Sequence, residues 1–575
     1  MADSMKSLTA PAILLGCLCA GLPVGGLRAP LLWTSVAGLI WLTALASPAP
    51  TATSLKPWAW WLGWAFISMA ACDQPLKSLY SFSHWLTLLA YFHVAGEHWT
   101  ERDSRRWLPC LAFSALALGL GALMVQGKGH PMTGLMPPYY NYTVFVEAAF
   151  IAAAMGATGH RDSPRGAARW GLWGLMVFAM GLIIKARSRS GLLAVAVAAA
   201  FWMYRRGKTK WLAWGFLTLA AAVVLAPSDI TAYLFKLDLS AWFKRPKIWA
   251  AALQVAADHP FLGEGLGNFE QGFLRHNFPA FWAANYGFSS AHAHNELLEL
   301  AAVTGWVGLG LFLAALLKSL RPAGPQVATP GQEAGICAFV AMAAQCLVDN
   351  MLHMPALAML FFTALICARS PAELTDRIRG APMGSRTWRW LCVSGFILSI
   401  AAFFPQHLVS RAREMYGMET DPARRVAIMS RAIRIFPADY YLHETLARAL
   451  IELRPPQPDR VLEHLALASR LNPTNALYPV MQAEIALRQG RQRDALKLIN
   501  RGIKLEPNYL GARLLRAEIW ISGSKKKEAG LELGEILRRR MLLQNLPTYS
   551  GYDRTIIYFD AKRFTAVSKS LRSHS

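Results

Sequence analysis

The chain has 575 residues, of which 54% are hydrophobic and 16% charged, with 21 tryptophans and a formal net charge of +24. Long apolar runs recur from residue 11 to about residue 404 and then stop, which excludes an ordinary soluble globular protein and fits a polytopic membrane protein with a polar tail. The basic excess does not make a nucleic-acid groove, because no basic patch is interleaved with stacking aromatics. In a membrane protein it marks cytoplasmic loops, anionic lipid contacts or phosphorylated substrates.

In chain order, apolar runs predict spans at about 10–26, 28–47, 54–72, 78–95, 107–125, 141–158, 168–184, 189–204 and 209–226. Four more follow a long loop, at about 294–317, 333–349, 352–368 and 386–404. The first run reads as a retained helix, since another apolar run follows at once and no polar mature domain does. The fold class is therefore all-α, with about 12–13 transmembrane helices. All eight cysteines lie in or at the ends of apolar runs, with neither a disulfide framework nor metal-ligand spacing.

Basic clusters at Arg102, Arg105 and Arg106, at Arg161, Arg165 and Arg169, and at Arg205, Arg206, Lys208 and Lys210 orient the bundle. Lys318 and Arg321, and Arg369, Arg377, Arg379, Arg386 and Arg389, continue the series. With the N-terminus inside, every one of these loops is cytoplasmic, as the positive-inside tendency requires. The long loop 227–293 and the tail then lie outside. So do Lys185, Arg187, Arg189, Lys244 and Arg245, placed against the topological bias. Such charges are candidates for function, with headgroup contact or snorkelling as the ordinary alternative.

PPYYNYTVFVEAAF, 137–150, opens the sixth span on the outer side, where Tyr142 and Asn141 are placed to line the cavity. In the outer loop, apolar residues at helical spacing from Ile248 to Ala256 predict a helix, ended by Pro260 and glycines 263, 265 and 267. GEGLG there is not a nucleotide loop: it follows a helix where a strand is needed and lacks the P-loop lysine. Phe273, Phe278, Phe281, Trp282, Tyr286 and Phe288 suit an element lying at the membrane surface.

SSAHAHNELLEL then opens a span with unusual acid–base content. His294 is placed to take a proton near neutral pH, to donate to a phosphate, or to cap the helix. Asn295 caps the helix or holds a sugar. Glu296 and Glu299 share one helical side, and a carboxylate there orients His294 or an arginine. His292 reads as structural. Alternation of His292, His294 and Glu296 does not complete a metal set. Asp349, Asn350 and His353 fall in a turn on the same outer side, as substrate contacts or as satisfied turn residues.

The tail carries IRIFPAD, SRLNPTN and IKLEPNY, with prolines at 437, 473 and 507, each after an amphipathic helix and before another. A helix-turn-helix unit of about 34 residues closed by proline is the tetratricopeptide pattern, so the tail predicts an α-solenoid. The domains expected are 1–404, a membrane part containing the loop 227–293, and 405–575, a repeat domain.

The string R-x-x-x-W-x-x-A-L, then HPF-x-G-x-G-x-G-N-F, a long outer loop and H-N-x-x-L-E-L resembles the O-antigen ligase and polymerase superfamily. SRSGLLAV at 188–195 and QCLVDNMLHMPALAMLFF at 345–362 also fit, with Gln345 where the commoner form has histidine. The resemblance implies a GT-C-like bacterial inner-membrane enzyme, its long loop and tail periplasmic. It implies transfer of glycan from undecaprenyl diphosphate to an acceptor hydroxyl, with inversion and with neither an essential metal nor another cofactor. Catalytic roles then fall on His294, Arg245 and Arg189, with Arg187, Asn295, Glu299, Tyr142 and Arg275 contacting substrate; Arg275 has no residue-by-residue match.

Guanidinium forks suit the growing charge of a diphosphate leaving group. The acceptor is a lipid A core, a growing polymer or, as the alternative, a pilin-like protein glycosylated by an O-oligosaccharyltransferase. The repeat tail is a place for a protein partner. A transporter would need charges inside spans or an inverted repeat, neither of which stands out. A membrane scaffold would not need outer arginines beside a histidine.

Overall fold

The computed structural model describes residues 16–19, 30–126, 140–158, 166–210, 244–279, 283–320, 329–369 and 383–573, apart from single positions 48, 50, 51, 187, 545, 547 and 549. Most of the expected spans 10–26 and 209–226 lies outside these residues, as do Arg187, Phe281 and Trp282. The described chain is all helical and falls into two compact units. One comprises Met1–Gly267 with His292–Gln406, and the other Asn268–Ala291 with His407–Ser575. The outer loop, taken from sequence as one piece within the membrane part, is thus divided between them.

In the first unit, apolar helices run over Pro30–Ala46, Ala52–Ala70, Pro75–His98, Glu101–Gln126, Tyr140–Thr158, Ala167–Lys185 and Arg189–Arg205. Lys244–Asp258, Glu296–Ser319, Pro330–Cys346 and Pro355–Cys367 follow. Among the described helices, Ala167–Lys185, Glu296–Ser319 and Ser385–Met418 are long and apolar enough to cross a membrane. The last runs on past residue 404, where the apolar run ends, through Pro405 to Met418. Its added turns carry Arg411, Arg413 and Glu414, so hydropathy alone could not find them.

Small residues let helices approach closely, as expected where lipid offers no hydrophobic drive to pack. Gly156 touches the backbone of Glu333, and Gly335 touches Cys367. Trp58, Trp61, Trp85, Phe92, Phe312 and Phe362 meet largely edge to face, with centroids 5.1–6.3 Å apart. That cluster accounts for part of the tryptophan excess.

The Glu296–Ser319 helix is not continuous. Gly305 takes φ 70° and ψ 174° in its middle, a break that the apolar run hid. The break frees backbone groups that must find partners in an apolar core. The HPF-x-G-x-G turn supplies them: Trp306 N–H donates to Pro260 O at 2.8 Å, and Glu264 N–H donates to Ala302 O at 2.9 Å. Ser68 Oγ–H donates to Val303 O at 3.0 Å, and Trp64 Nε1–H to Thr304 O at 3.0 Å. A Cβ on Gly305 would run into the Phe261 carbonyl, and one on Gly263 into the Val303 backbone. The turn therefore plugs the broken helix.

The second unit has helix-solenoid packing, each helix lying on the next from Pro422–Ile435 through Tyr440–Glu452, Pro458–Leu471, Leu477–Arg488, Gln492–Leu505 and Leu510–Ser522 to Lys526–Leu543. Residues Phe436, Asn472 and Glu506, each before a repeat proline, end their helices with nearly the same backbone: φ −125°, −134° and −123°, ψ 77°, 80° and 88°. Proline forbids its predecessor a helical conformation, so the sequence repeat becomes a geometric one.

The Asn268–Ala291 stretch belongs to this unit. Ala283 and Ala284 are fully buried in its core. The Glu506 carboxylate accepts the N–H groups of Asn285 at 2.7 Å and Tyr286 at 2.6 Å, and Tyr552 O–H donates to it at 3.2 Å. Phe273, Phe278 and Phe288 pack on one another, with centroids 5.8–6.2 Å apart.

Two predictions follow from these contacts. Gly305→Ala is expected to lower stability by about 2–3 kcal/mol or more, through a strained left-handed residue and a backbone clash, read as thermal unfolding in lipid nanodiscs. Burial pushes the Glu506 carboxyl up to about 7, against the hydrogen bonds that pull it down. A carboxyl raised on folding binds its proton more tightly in the folded state, so its stabilisation is present below about 4.5 and is lost as pH rises through about 7. The stability difference between wild type and Glu506→Gln should change across that window and be flat above it.

Candidate active site

The site is built where the HAHN turn meets the end of the Pro330–Cys346 helix, within the first unit. Asn295 is the N-cap of the Glu296–Ser319 helix: its Oδ1 accepts from Leu297 N–H and Leu298 N–H, each at 3.0 Å. Its Nδ2–H donates to Leu347 O at 2.7 Å, tying the turn to the neighbouring helix. Just before the cap, His294 has φ 51°, a left-handed conformation uncommon outside glycine. Trp249 Nε1–H donates to its carbonyl at 3.3 Å. Strain of roughly 1–3 kcal/mol held in place by neighbours is a mark of functional positions.

Asp349 lies at the centre. Its side chain is fully buried, and both oxygens stand 3.3 Å from Arg245 Nη2. His294 Nδ1 is 3.4 Å from Asp349 Oδ1. The guanidinium and the imidazole keep 36% and 34% exposure, so each reaches outward from the buried carboxylate. Arg189 opens the Arg189–Arg205 helix, whose cap Ser188 Oγ accepts Gly191 N–H at 3.2 Å. The charge of Arg245 acts on Arg189, so two guanidiniums share one region. Like charges gathered this way favour an anionic ligand between them.

A second network flanks the first. His292 Nδ1 is 3.1 Å from Glu299 Oε1, and Ala293 N–H donates to the other oxygen. Glu296 Oε1 accepts Leu352 N–H at 2.6 Å. His353 stands 3.6 Å from Glu296 and 3.4 Å from Glu299, its ring 4.4 Å from that of His292. Burial pulls the His353 imidazole down, but the carboxylates of Glu296 and Glu299 outweigh it, and the ring is pushed up to about 9. Burial and the neighbouring His353 hold His292 below its usual value. The two imidazoles therefore sit beside the same two buried carboxyl groups, with their proton affinities pushed in opposite directions. Among the described residues, His292, Glu299 and His353 are the group whose ligand atoms, within 4.8 Å of one another, have metal-binding chemistry.

Of the residues singled out in the sequence, Arg245, His294 and Asn295 converge here, with Arg189 electrostatically linked and Glu299 in the second network. Glu299 touches His292 and His353 and not His294 or an arginine. Arg275 belongs to the second unit, where it is exposed at the end of the Phe269–Arg275 helix. Arg187 lies outside the described residues; Tyr142 lies in the Tyr140–Thr158 helix, its side chain outside the description. Asp349 and His353 read from sequence either as substrate contacts or as satisfied turn residues. Their signal was an acid and a histidine in the turn between two apolar runs, and only the fold supplies their partners. Glu296 and His292 carried no more than weak roles.

Residues 174–313 match the family described as O-antigen ligase (Wzy_C), a segment that includes Arg189, Arg245 and His294–Glu299. No curated protein matches the chain. Two solved structures align over most of it: the APC/C hetero-tetramer Cut9-Hcn1, at 12% identity over 81% of this chain and 89% of that one, TM-score 0.23, and yeast Tom70, at 12% over 80% and 96%, TM-score 0.24. Scores this low carry no argument. Together, fold and site define an all-α, membrane-associated protein with a central segment of O-antigen ligase type. They are consistent with a membrane-embedded glycan-handling enzyme of that family.

His294→Gly tests the strain directly. Glycine adopts the left-handed conformation freely, offsetting the lost contact to Asp349 and the greater freedom of the unfolded chain. Stability should stay within about 1 kcal/mol of wild type by thermal unfolding, whereas a histidine held only for packing would cost more when removed.

Proposed function

We propose that this protein transfers glycan from an undecaprenyl-diphosphate donor to an acceptor hydroxyl at the periplasmic face of a bacterial inner membrane. The observation that carries the reading is the bridge from Arg245 through buried Asp349 to His294. Asp349 takes the Nδ1–H of the imidazole and leaves Nε2 as the proton acceptor, the tautomer a general base needs.

In the proposed step, the acceptor oxygen attacks the anomeric carbon as the carbon–oxygen bond to the diphosphate breaks. The electron pair leaves on the diphosphate, and the hydroxyl proton passes to His294 Nε2. One displacement inverts the anomeric centre. Arg245 and Arg189 bind the diphosphate and stabilise the charge that grows on it, more strongly in the transition state than before. Asn295 fixes the turn, while Glu299, paired with His292 and His353, braces the start of the helix. Arg187, Tyr142 and Arg275 remain proposed substrate contacts from the sequence pattern. No step calls on a metal or a nucleotide sugar. The second unit is proposed to be a tetratricopeptide-like solenoid that carries the acceptor side of the reaction.

The test incubates purified protein in nanodiscs with an undecaprenyl-diphosphate oligosaccharide and, separately, lipid A core, further donor, or a pilin-like protein. His294→Ala is expected to lose about 10²–10⁴-fold in turnover, the usual contribution of a general base. Arg245→Ala should lose about as much, and His294→Gly should be as inactive as His294→Ala despite its stability. A ladder from donor alone identifies a polymerase, and a single addition to lipid A core a ligase. Glycosylation of the protein identifies an O-oligosaccharyltransferase. No donor consumption with any acceptor, or full activity in both alanine variants, overturns the reading.

A further inference from the structure

Within the second unit, Leu274, Asn277 and residues 286–289 line, together with the solenoid, an open cleft of about 450 Å³. That volume is in the range of small-ligand sites. Four tyrosines, Tyr286, Tyr440, Tyr441 and Tyr552, line it, with Asn472 and Asn475; the Arg413 guanidinium stacks over one face of the Tyr441 ring, 5.0 Å from its centroid. Its charged lining residues, Glu444 and Arg448, pair with each other at 3.0 Å. The second Glu444 oxygen accepts Tyr478 O–H at 2.8 Å. The lining therefore carries no net charge toward a ligand, which disfavours a diphosphate or a polyanion.

Hydrogen-bonding capacity is left over. The hydroxyls of Tyr440 and Tyr441 and the Asn472 Nδ2 make no hydrogen bond with another described residue, although Asn472 Oδ1 accepts from Thr474. The repeat geometry gives that amide a meaning. Asn472 and Glu506 hold the same position one repeat apart, with nearly the same backbone angles. Glu506 is filled by the backbone of Asn285 and Tyr286. Asn472 lines the cleft. Aromatic rings beside unfilled hydroxyl and amide donors, with no net charge, match a sugar: its C–H face packs on aromatic rings while its hydroxyl rim needs donors and acceptors.

One wall of the cleft, including Tyr286, Phe288 and Ser289, comes from the segment that matches the O-antigen ligase family, and Phe288 stands six residues before His294 in the chain. We propose that this cleft is a subsite for a neutral oligosaccharide of about two or three sugar units, the size class that such a volume holds. The choice of ligand class rests on the glycan-transferase reading. The subsite holds sugars of the acceptor or the growing product.

The experiment is saturation-transfer NMR on the full-length protein in lipid nanodiscs, free of sugar-headed detergent. The probes are maltotriose, triacetylchitotriose and a galactose trisaccharide, with a serine-rich peptide for comparison. At least one trisaccharide should give a difference signal, reduced about fivefold or more in Tyr441→Ala and in Asn472→Ala. Tyr441 is 45% exposed, so its removal leaves the core intact and keeps the test open if Asn472→Ala fails to fold.

No trisaccharide signal from wild type, or a signal untouched by Tyr441→Ala, overturns the subsite. So does a signal from the peptide alone. Binding is read without turnover, which separates the two readings. A protein that consumes donor but binds no trisaccharide loses only the subsite. One that binds the trisaccharide through Tyr441, yet consumes no donor with any acceptor, keeps the subsite and loses the transferase reading.

Discussion

A carboxylate taken fully out of water must be met by cations or donors, and at Asp349 that requirement organises the candidate site. Unpaired, such a charge costs several kcal/mol even after relaxation. Arg245 and His294 meet it, and both keep a third of their side chain exposed for other work. The anion thus does two things at once. It stands within reach of the imidazole Nδ1, and it holds a guanidinium that stays partly exposed. The charge of Arg245 also acts on Arg189, so a second guanidinium belongs to the same electrostatic neighbourhood.

Holding Arg245 and His294 at one carboxylate requires two helices to be tied together, and the break at Gly305 does this. The Lys244–Asp258 helix carries Arg245 in its first turn, and the turn that ends it inserts its backbone into the broken Glu296–Ser319 helix. Carbonyl and amide groups freed by the break are the partners that the turn needs. A helix without the break would satisfy its own backbone and offer nothing to hold. The left-handed His294 depends on the same framework, since its neighbour Asn295 reaches across to Leu347 O.

The second unit shows the same economy of backbone groups outside the apolar core. Glu506 serves the repeat by ending a helix and serves the loop by accepting two of its N–H groups. The loop in turn contributes Ala283 and Ala284 to the buried core. Aromatic residues there have ring partners of their own. From hydropathy alone, a Phe-rich loop beside a membrane segment reads as a surface anchor, because composition carries no information about what covers a ring.

Much of the architecture was legible in the chain. Apolar runs give the helices because lipid-length burial needs consecutive apolar residues, and the prolines at 437, 473 and 507 give the repeat because each fixes its predecessor's backbone. Arg245 was legible as a charge in the outer loop against the topological bias, and His294 and Asn295 as polar groups standing where an apolar span begins. Local sequence stops there. It could not close the Asp349 bridge, which joins residues more than fifty positions apart, nor break a helix at Gly305, whose partner is the distant Phe261 turn. It could not divide the outer loop, whose middle pairs with a repeat more than two hundred residues later. Composition and spacing determined which elements exist. The pairing of buried polar groups, a property of three-dimensional neighbours, decided where they meet.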